Sequence, residues 1–327
     1  MAIISGTATS YSVAAAGGNR EDLEDVIWDL FREENHFLTS LDKVEASGTF
    51  HEWTLDTLEA VTSNAQLEGN QESYTTAAAP TRVGNYCQIS DKLFLVSRTQ
   101  EKVAKAGRRS EIQRLAMKKM RALKNDIEQA IVQNQASSAG GSNTARSSAG
   151  MESWIATNVT YATTNSGQTH PAFASGVQGA STAGSSSSLG VLSESELLAA
   201  LQDAWSNGGM VTDIVTGPAN KQTIDGFSGN ATKNVDMSVG AAKPHAIVQA
   251  VDVYVSDFGN HKLILHKFVR TSAVLCIDPS YWAIAFLDRP FVEPYAKTSD
   301  GEKRHIAAEW ALVSRNEAAN GIVDSIG

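Results

Sequence analysis

The feature that most constrains the fold is a long amphipathic segment at residues 110–136. Ser110 followed by Gln113 forms a capping box, which marks the start of a helix. Apolar residues then recur every three or four positions; they are Ile112, Leu115, Ala116, Met120, Leu123, Ile127, Ala130 and Ile131. The run ASSAGG at 136–141 ends the pattern. The segment predicts a helix of about 25 residues and about 40 Å, about twice the usual length.

One face of this helix is predicted to be basic. Arg114, Lys118 and Arg121 lie opposite the apolar stripe, and Glu111 is the one acid among the basic residues of 102–124. The pattern has two interpretations, a solvated surface or a face directed at an anionic partner. The whole chain is acidic, with a net charge of −9 and a pI near 5.3. Nucleic-acid binding as the main task is therefore disfavoured, since it requires a basic footprint.

Composition indicates a globular protein of one or two domains. The chain has 327 residues, of which 42% are hydrophobic and 19% charged. Its two cysteines, Cys87 and Cys276, are far apart, which argues against a disulfide framework or a zinc site. No apolar run is long enough to predict a membrane span.

A long two-stranded excursion is predicted before the helix. Residues 47–60 and 86–97 have strand-like patterns, and the stretch between them is polar and rich in turn residues. An isolated hairpin is marginally stable at best. A hairpin of this size therefore predicts a neighbouring subunit on which it lies.

The segment after the helix, residues 136–190, is dominated by small and polar residues. It fits either a flexible linker or an insertion ordered by contacts, in which Met151, Trp154 and Ile155 predict an anchored turn. An α/β pattern follows from residue 191. Ser193 with Glu196 predicts a helix start, and Pro218 predicts another. Strands are predicted at 211–216, 246–256 and 303–315.

No constellation of residues indicates catalysis, and we predict no catalytic, cofactor-binding or metal site. Asp257, Phe258 and Gly259 spell a kinase metal-binding triplet but fit a hairpin turn, since the other kinase motifs are missing. His261 and His266 are predicted on opposite faces of a strand, which disfavours a shared metal. A soluble α/β enzyme is thus the weaker alternative.

Several strings in a fixed order resemble the major capsid proteins of tailed bacteriophages with the Hong Kong 97-type fold. They include FHEWTLDTL at 50–58, NYCQI at 85–89, VSRTQEKV at 96–103, LKNDIEQAI at 123–131, NTARSSAGMESWIATNV at 143–159, the stretch 278–316 and NGIVD at 320–324. The resemblance covers about residues 19–325. It implies an α+β fold with an N-terminal arm, an extended loop, a peripheral domain with a long spine helix, and an axial domain.

The resemblance also implies boundaries along the chain. They are an arm at 1–40, an extended-loop hairpin at 41–95, a peripheral domain with the spine helix and the Ser/Gly-rich insertion at 96–190, an axial domain at 191–280, and peripheral return strands at 281–327.

The implied function is structural. Copies would assemble through hexamers and pentamers into an icosahedral head around double-stranded DNA, in the cytoplasm of a host bacterium, with a portal and with scaffolding or cement proteins as further partners. Phe50, Trp53, Leu55 and Leu58 are the expected intersubunit contacts, and Arg114, Lys118 and Arg121 the expected inner basic face. An encapsulin-like compartment around a cargo protein is the alternative.

Overall fold

The computed structural model describes residues 35–59, 61–70, 76, 79–105, 107–162, 173–174, 177–178, 189–227, 253–297 and 300–327. The helices of this part of the chain are α1 (His36–Ser40), α2 (Arg98–Lys102), α3 (Glu111–Val132), α4 (Met151–Trp154), α5 (Glu194–Ser206) and α6 (Pro218–Asp225). The strands are β1 (Asp42–Glu45), β2 (Phe50–Leu55), β3 (Thr81–Tyr86), β4 (Gln88–Ser97), β5 (Val159–Tyr161), β6 (Phe173–Ala174), β7 (Val177–Gln178), β8 (Asp213–Thr216), β9 (Val253–Ser256), β10 (Gly259–Leu265), β11 (Val274–Ile277), β12 (Trp282–Pro294), β13 (Gly301–Ser314) and β14 (Gly321–Asp324).

The predicted long helix is present as α3 and forms the spine of the molecule. The Ser110 side chain accepts a hydrogen bond from the Gln113 N–H, so the predicted start is confirmed. The helix ends at Val132, earlier than expected, and has 22 residues. It stops because Gln133 is extended and the chain turns back, with the Gly150 N–H donating to the Gln135 carbonyl. A Cβ at Gly150 would lie 2.0 Å from the Gln133 carbonyl oxygen, so this return requires glycine.

The spine helix packs against a four-stranded sheet with the order β1-β12-β13-β4. Strands β12, β13 and β4 are antiparallel neighbours, and β1 adds in parallel to β12. Leu123, Ile127 and Ile131 on the helix are fully buried in one core with Ile306 and Trp310 of β13. The apolar stripe predicted from the sequence is therefore the surface that holds the helix on the sheet.

A six-stranded sheet has the order β5-β14-β11-β8-β10-β9. Leu197 and Leu201 of α5 and Ile224 of α6 pack with it in a second core. The predicted helix starts at Ser193 and Pro218 are confirmed, since the Ser193 N–H bonds Glu196 and Pro218 begins α6. Strands β5 and β14 join from outside residues 191–280, so this sheet extends beyond the predicted axial segment.

The hairpin differs from the predicted pairing. The strand that returns to β2 is β3, with Phe50 opposite Tyr86 and Leu55 opposite Thr81. The predicted strand at 86–97 does not pair with β2. The chain leaves the hairpin sheet at Cys87, and the following residues pair with β13 as β4. Cys87 is fully buried and its N–H donates to the Thr49 carbonyl, which fixes the corner between the two sheets. Strands β7 and β6 extend the hairpin sheet beside β3.

The segment after the spine helix is ordered over residues 133–162. Met151, Trp154 and Ile155 are buried in the first core, which confirms the predicted anchored turn. The linker interpretation is therefore wrong for this part. Residues 1–34, part of the Ser/Gly-rich stretch, and the predicted strand before residue 253 lie outside the described residues.

Candidate intersubunit surfaces

Asn85 fixes the base of the hairpin to the body of the subunit. Its side chain is fully buried on β3. The Nδ2 group donates to the carbonyl of Leu312 (2.7 Å) and to Ser148 Oγ (3.0 Å), and Oδ1 accepts from the Ala149 N–H (3.0 Å). Ser148 Oγ in turn accepts from the Leu312 N–H at 3.0 Å. The Asn85 and Ser148 side chains thus hydrogen-bond the carbonyl and the N–H of Leu312, at the edge of β13 where β4 no longer pairs with it.

The four predicted contact residues lie in different environments. Phe50 packs on Tyr86 with ring centroids 4.6 Å apart. Trp53 donates from Nε1 to the Ser314 carbonyl (2.8 Å), and both Trp53 and Leu55 pack against the first core. Leu58, in contrast, is 99% exposed. The structure therefore places Trp53 and Leu55 against their own subunit and leaves Leu58 available to another molecule.

Leu58 belongs to an acidic loop, which we define as residues 56–59 and 61–70. Val61 and Leu67 of this loop are also almost fully exposed. The sequence has no Lys or Arg between Lys43 and Arg82. The loop therefore combines exposed apolar side chains with the uncompensated carboxylates Asp56, Glu59 and Glu68.

The predicted basic face is partly neutralised. Glu111 accepts hydrogen bonds from the guanidinium groups of Arg114 and Arg108, and the Arg114 bond is the main cause of its lowered pKa. Lys118 and Arg121 are exposed on the same helix. The structure thus brings Arg114 into an ion-pair network, and Lys118 and Arg121 are the more exposed part of the basic face.

Further ion pairs and hydrogen bonds involve the start and the middle of the spine helix. The Glu101 carboxylate accepts the Glu111 N–H at 2.9 Å, and the Lys105 ammonium lies 3.6 Å from that carboxylate. Lys92 on β4 forms an ion pair with Asp126 on α3. Glu101 lies in α2 and Lys92 in β4, so the charge pattern of the spine helix alone could not predict these pairs.

The four-stranded sheet has an exposed apolar strip on the face opposite the spine helix. The strip consists of Ile89, Leu93 and Leu95 of β4, each between 53% and 55% exposed. The alternate residues Phe94 and Val96 are buried in the core with the helix. We call these three residues the outer strip. Their alternation is visible in the sequence, but the exposed side could not be known without the pairing of β4 to β13.

Two buried charge clusters join the sheets and were not predicted. Glu128 on α3 accepts the N–H groups of Phe37 (2.7 Å) and Leu38 (2.8 Å) and lies 3.1 Å from His266 Nε2. Glu152 on α4 binds Arg270, which also binds Asp324 of β14. Burial raises the pKa of the Glu152 carboxyl to about 7.

The interpretation of Asp257, Phe258 and Gly259 as a hairpin turn is confirmed. Asp257 and Phe258 form the turn between β9 and β10, and Gly259 has φ +137°. His261 contacts the Val211 carbonyl, and His266 contacts Glu128, so the two histidines have separate partners. Among the described residues, no group of three or more His, Cys, Asp or Glu could hold a metal ion. No helix in the described ranges is long and apolar enough to cross a membrane.

The fold matches solved phage capsid structures over nearly the whole chain. One is a cyanophage A-1(L) capsid, with TM-score 0.64, 12% identity and coverage of 96% of this chain and 99% of that one. Another is the capsid of a native GTA particle, with TM-score 0.61, 12% identity and coverage of 98% and 100%. A third, from Mycobacterium phage Bobi, has TM-score 0.60, 12% identity and coverage of 98% and 99%. The chain thus has the fold of these capsid structures, as the resemblance predicted.

The sequence itself matches the SU10 major capsid protein family over residues 3–327, and the chain belongs to that family. No match was found among curated proteins. The protein is therefore a structural shell protein of the virion capsid that associates with copies of itself, and the encapsulin alternative is not favoured.

Proposed function

We propose that copies of this chain assemble through hexamers and pentamers into an icosahedral head that encloses double-stranded DNA. The observation that carries the proposal beyond family membership is the acidic loop, whose Leu58, Val61 and Leu67 are almost fully exposed while its base is fixed by Asn85. Exposed apolar side chains on a fixed element are typical of an interaction surface. Assembly then uses many modest interfaces repeated by symmetry.

The predicted contact residues divide into two roles in this proposal. Trp53 and Leu55, with Phe50 on the same strand, set the direction of the hairpin from its base. Leu58 contacts the neighbouring subunit. The proposed units are an arm at 1–40, an extended loop at 41–95, a peripheral part at 96–190 with return strands at 281–327, and an axial part at 191–280.

The basic face of the spine helix is the proposed inner surface. Lys118 and Arg121 supply its exposed charge, while Arg114 is held by Glu111. A surface with few exposed cations contacts packaged DNA weakly and without sequence preference, because phosphate contacts carry no sequence information. A shell in which Lys118 and Arg121 faced outward would contradict this part.

Further partners are proposed from the family alone. A portal occupies one vertex of the head, and a scaffolding or cement protein assists the shell. Assembly takes place in the cytoplasm of the host bacterium.

Sedimentation velocity of the purified full-length protein, alone and co-expressed with its phage's scaffolding or cement protein, tests the proposal. We expect particles or capsomer rings far larger than a 34.8 kDa monomer, visible as closed shells or rings by electron microscopy. A species that stays monomeric at micromolar concentration in both preparations would contradict it.

A further inference from the structure

Three charged side chains meet where the two cores of the subunit adjoin. Glu152 of α4 accepts a hydrogen bond from Arg270 Nε at 2.8 Å, and a terminal guanidinium nitrogen of Arg270 donates to Asp324 at 3.1 Å. Glu152 and Asp324 are buried, and Arg270 is partly exposed. Arg270 lies between β10 and β11, and Asp324 ends β14, whose Ile322 belongs to the first core and Val323 to the second. The cluster therefore ties α4 to the six-stranded sheet.

The charges of this cluster do not balance when all three groups are ionised. Arg270 keeps its positive charge, so it can neutralise only one of the two carboxylates. Glu152 Oε1 has no hydrogen-bond partner among the described residues. Burial raises the pKa of the Glu152 carboxyl to about 7 against the opposing effect of Arg270, and Asp324 adds to the rise. A proton on Glu152 thus removes the excess negative charge from the buried cluster.

The same short helix also contacts the hairpin. The Trp154 ring is buried, and its centroid lies 5.5 Å from that of Trp53 on β2. Trp53 donates from Nε1 to the Ser314 carbonyl, so this ring stack is at the hairpin base. Helix α4 has four residues, so Glu152 and Trp154 share one helical turn. A shift of Glu152 therefore also moves the ring on which Trp53 packs, because close-packed side chains transmit displacements.

Two further titratable groups lie near this helix. The His51 ring is beside Trp53, with centroids 5.8 Å apart, and burial lowers the His51 pKa from its usual value of 6.5. Glu317 accepts the Ala156 N–H at 3.0 Å, two residues after α4 ends. Glutamine at residue 152 leaves both groups in place, so its effect isolates the contribution of the cluster.

We propose that the cluster of Glu152, Arg270 and Asp324 is a pH-sensitive switch that sets how firmly the hairpin base is held. With Glu152 protonated, the cluster has no net charge and α4 stays packed against Trp53. With Glu152 ionised, the buried cluster carries an excess negative charge, which favours a shift of α4 toward water and weakens the support of Trp53 by Trp154. The hairpin is therefore held most firmly at low pH and loosens as the pH rises to about 7. The switch is a property of the single subunit and goes beyond the proposed assembly.

Hydrogen exchange of the purified full-length protein tests the switch. Exchange is measured by mass spectrometry at about pH 5.5 and about pH 8, with rates corrected for the intrinsic effect of pH. We expect the amides of β2 and β3 in wild type to exchange about threefold or more faster at the higher pH. Glu152→Gln has a neutral side chain of the same size, so its corrected rates should be equal at both pH values. Glu293→Gln, at an exposed position of β12, is the matched control and should behave as wild type. Sedimentation velocity checks that the assembly state is the same in both buffers.

A second variant tests the connection between the cluster and the hairpin. Trp154→Phe keeps Glu152, Arg270 and Asp324 but reduces the ring contact with Trp53. We expect the amides of β14 to keep their wild-type response to pH, because the cluster is unchanged. The response of β2 and β3 should fall to about half of the wild-type value or less.

Four outcomes would overturn the switch. They are a wild-type hairpin whose corrected exchange does not change with pH, an equal response in wild type and Glu152→Gln, a response confined to β14, and a response that His51→Gln abolishes while Glu152→Gln keeps it. A Glu152→Gln chain that fails to fold would show that the charge of the carboxylate is required, which also contradicts the proposal.

Discussion

At the scale of single residues, buried polar side chains decide how the sheets are joined. Asn85, Glu128 and Glu152 are almost completely buried, and each bonds to elements that are distant in sequence. In the sequence these residues are ordinary polar positions: Asn85 in the predicted turn-rich stretch, Glu128 in the predicted helix and Glu152 in the segment of small and polar residues that follows it. Their partners arise only from the tertiary fold, so no local pattern could have indicated them.

Glu152 makes the stability of the subunit depend on pH. Burial raises its pKa from 4.5 to about 7, so the folded state binds this proton more tightly than the unfolded state does. The contribution of this carboxyl to stability therefore falls as pH rises from about 4.5 to about 7, and is level above that. The whole change amounts to about 3 kcal/mol at most.

Glu152→Gln should remove most of this dependence. We expect its free energy of unfolding to change less between about pH 5 and about pH 7 than that of the wild-type subunit. Urea unfolding of unassembled subunits at the two pH values measures the difference. Glu59→Gln, in the exposed loop, is the control. Equal pH slopes for wild type and Glu152→Gln would show that the carboxyl is not protonated in this range.

Asn85→Ala should loosen the hairpin base. The substitution leaves the Leu312 carbonyl and the Ala149 N–H without their partner, at a cost of about 1–3 kcal/mol for each buried group left unsatisfied. We expect lower stability and faster proteolysis within residues 46–84. Asn70→Ala, in the exposed loop, should not alter stability. Unchanged proteolysis in Asn85→Ala would mean that the hairpin is held by Trp53 instead.

At the scale of elements, prediction succeeded where a local signal sets the structure. The capping residues Ser110 and Ser193, and Pro218 at a first helical position, gave the helix starts, since each signal acts within the first turn of its own helix. Strand pairing was harder. The segment 86–97 has a clear strand pattern, yet its partner is β13 more than two hundred residues later, and nothing local distinguishes that partner from β2.

Glu128 joins the spine helix to two other elements. Glu128→Ala would remove the acceptor for the Phe37 and Leu38 N–H groups and the partner of His266. We expect destabilisation of about 3 kcal/mol or more, because several buried polar groups lose their partner together. Gln129→Ala, at the next and exposed position of the helix, should cost under about 0.5 kcal/mol. Chemical unfolding of both variants checks the difference, and equal stabilities would contradict this role.

At the scale of the whole molecule, the resemblance supplied what periodicity could not. Residue patterns indicated a large α/β chain without an active site, and the order of the strings indicated a capsid protein, which family membership confirms. The predicted division into segments 191–280 and 281–327 did not include the six-stranded sheet as it is. That sheet contains β5, which precedes residue 191, and β14, which follows residue 280. Sheets that combine distant strands are fixed by tertiary packing, which a list of consecutive segments cannot represent.

Leu58→Asp should separate assembly from folding. Leu58 is 99% exposed and contacts nothing in its own subunit that a carboxylate would disturb, so unfolding should be unchanged within about 0.5 kcal/mol. Burying the added charge in an interface is costly, so we expect at least a tenfold lower yield of particles. Asn64→Asp, in the same loop, is the control for added charge. Particles at wild-type yield would show that Leu58 is not part of the interface.

Electron cryo-microscopy of the assembled particle tests the central claim most directly. We expect a closed icosahedral shell whose subunits keep α3 on the four-stranded sheet. In it, residues 56–70 leave their own subunit and lie across the next one, and Lys118 and Arg121 face the interior. A shell in which every loop lies on its own subunit would rule out the proposed intersubunit contact. A protein that forms no shell with its phage's other head proteins present would rule out the proposed assembly.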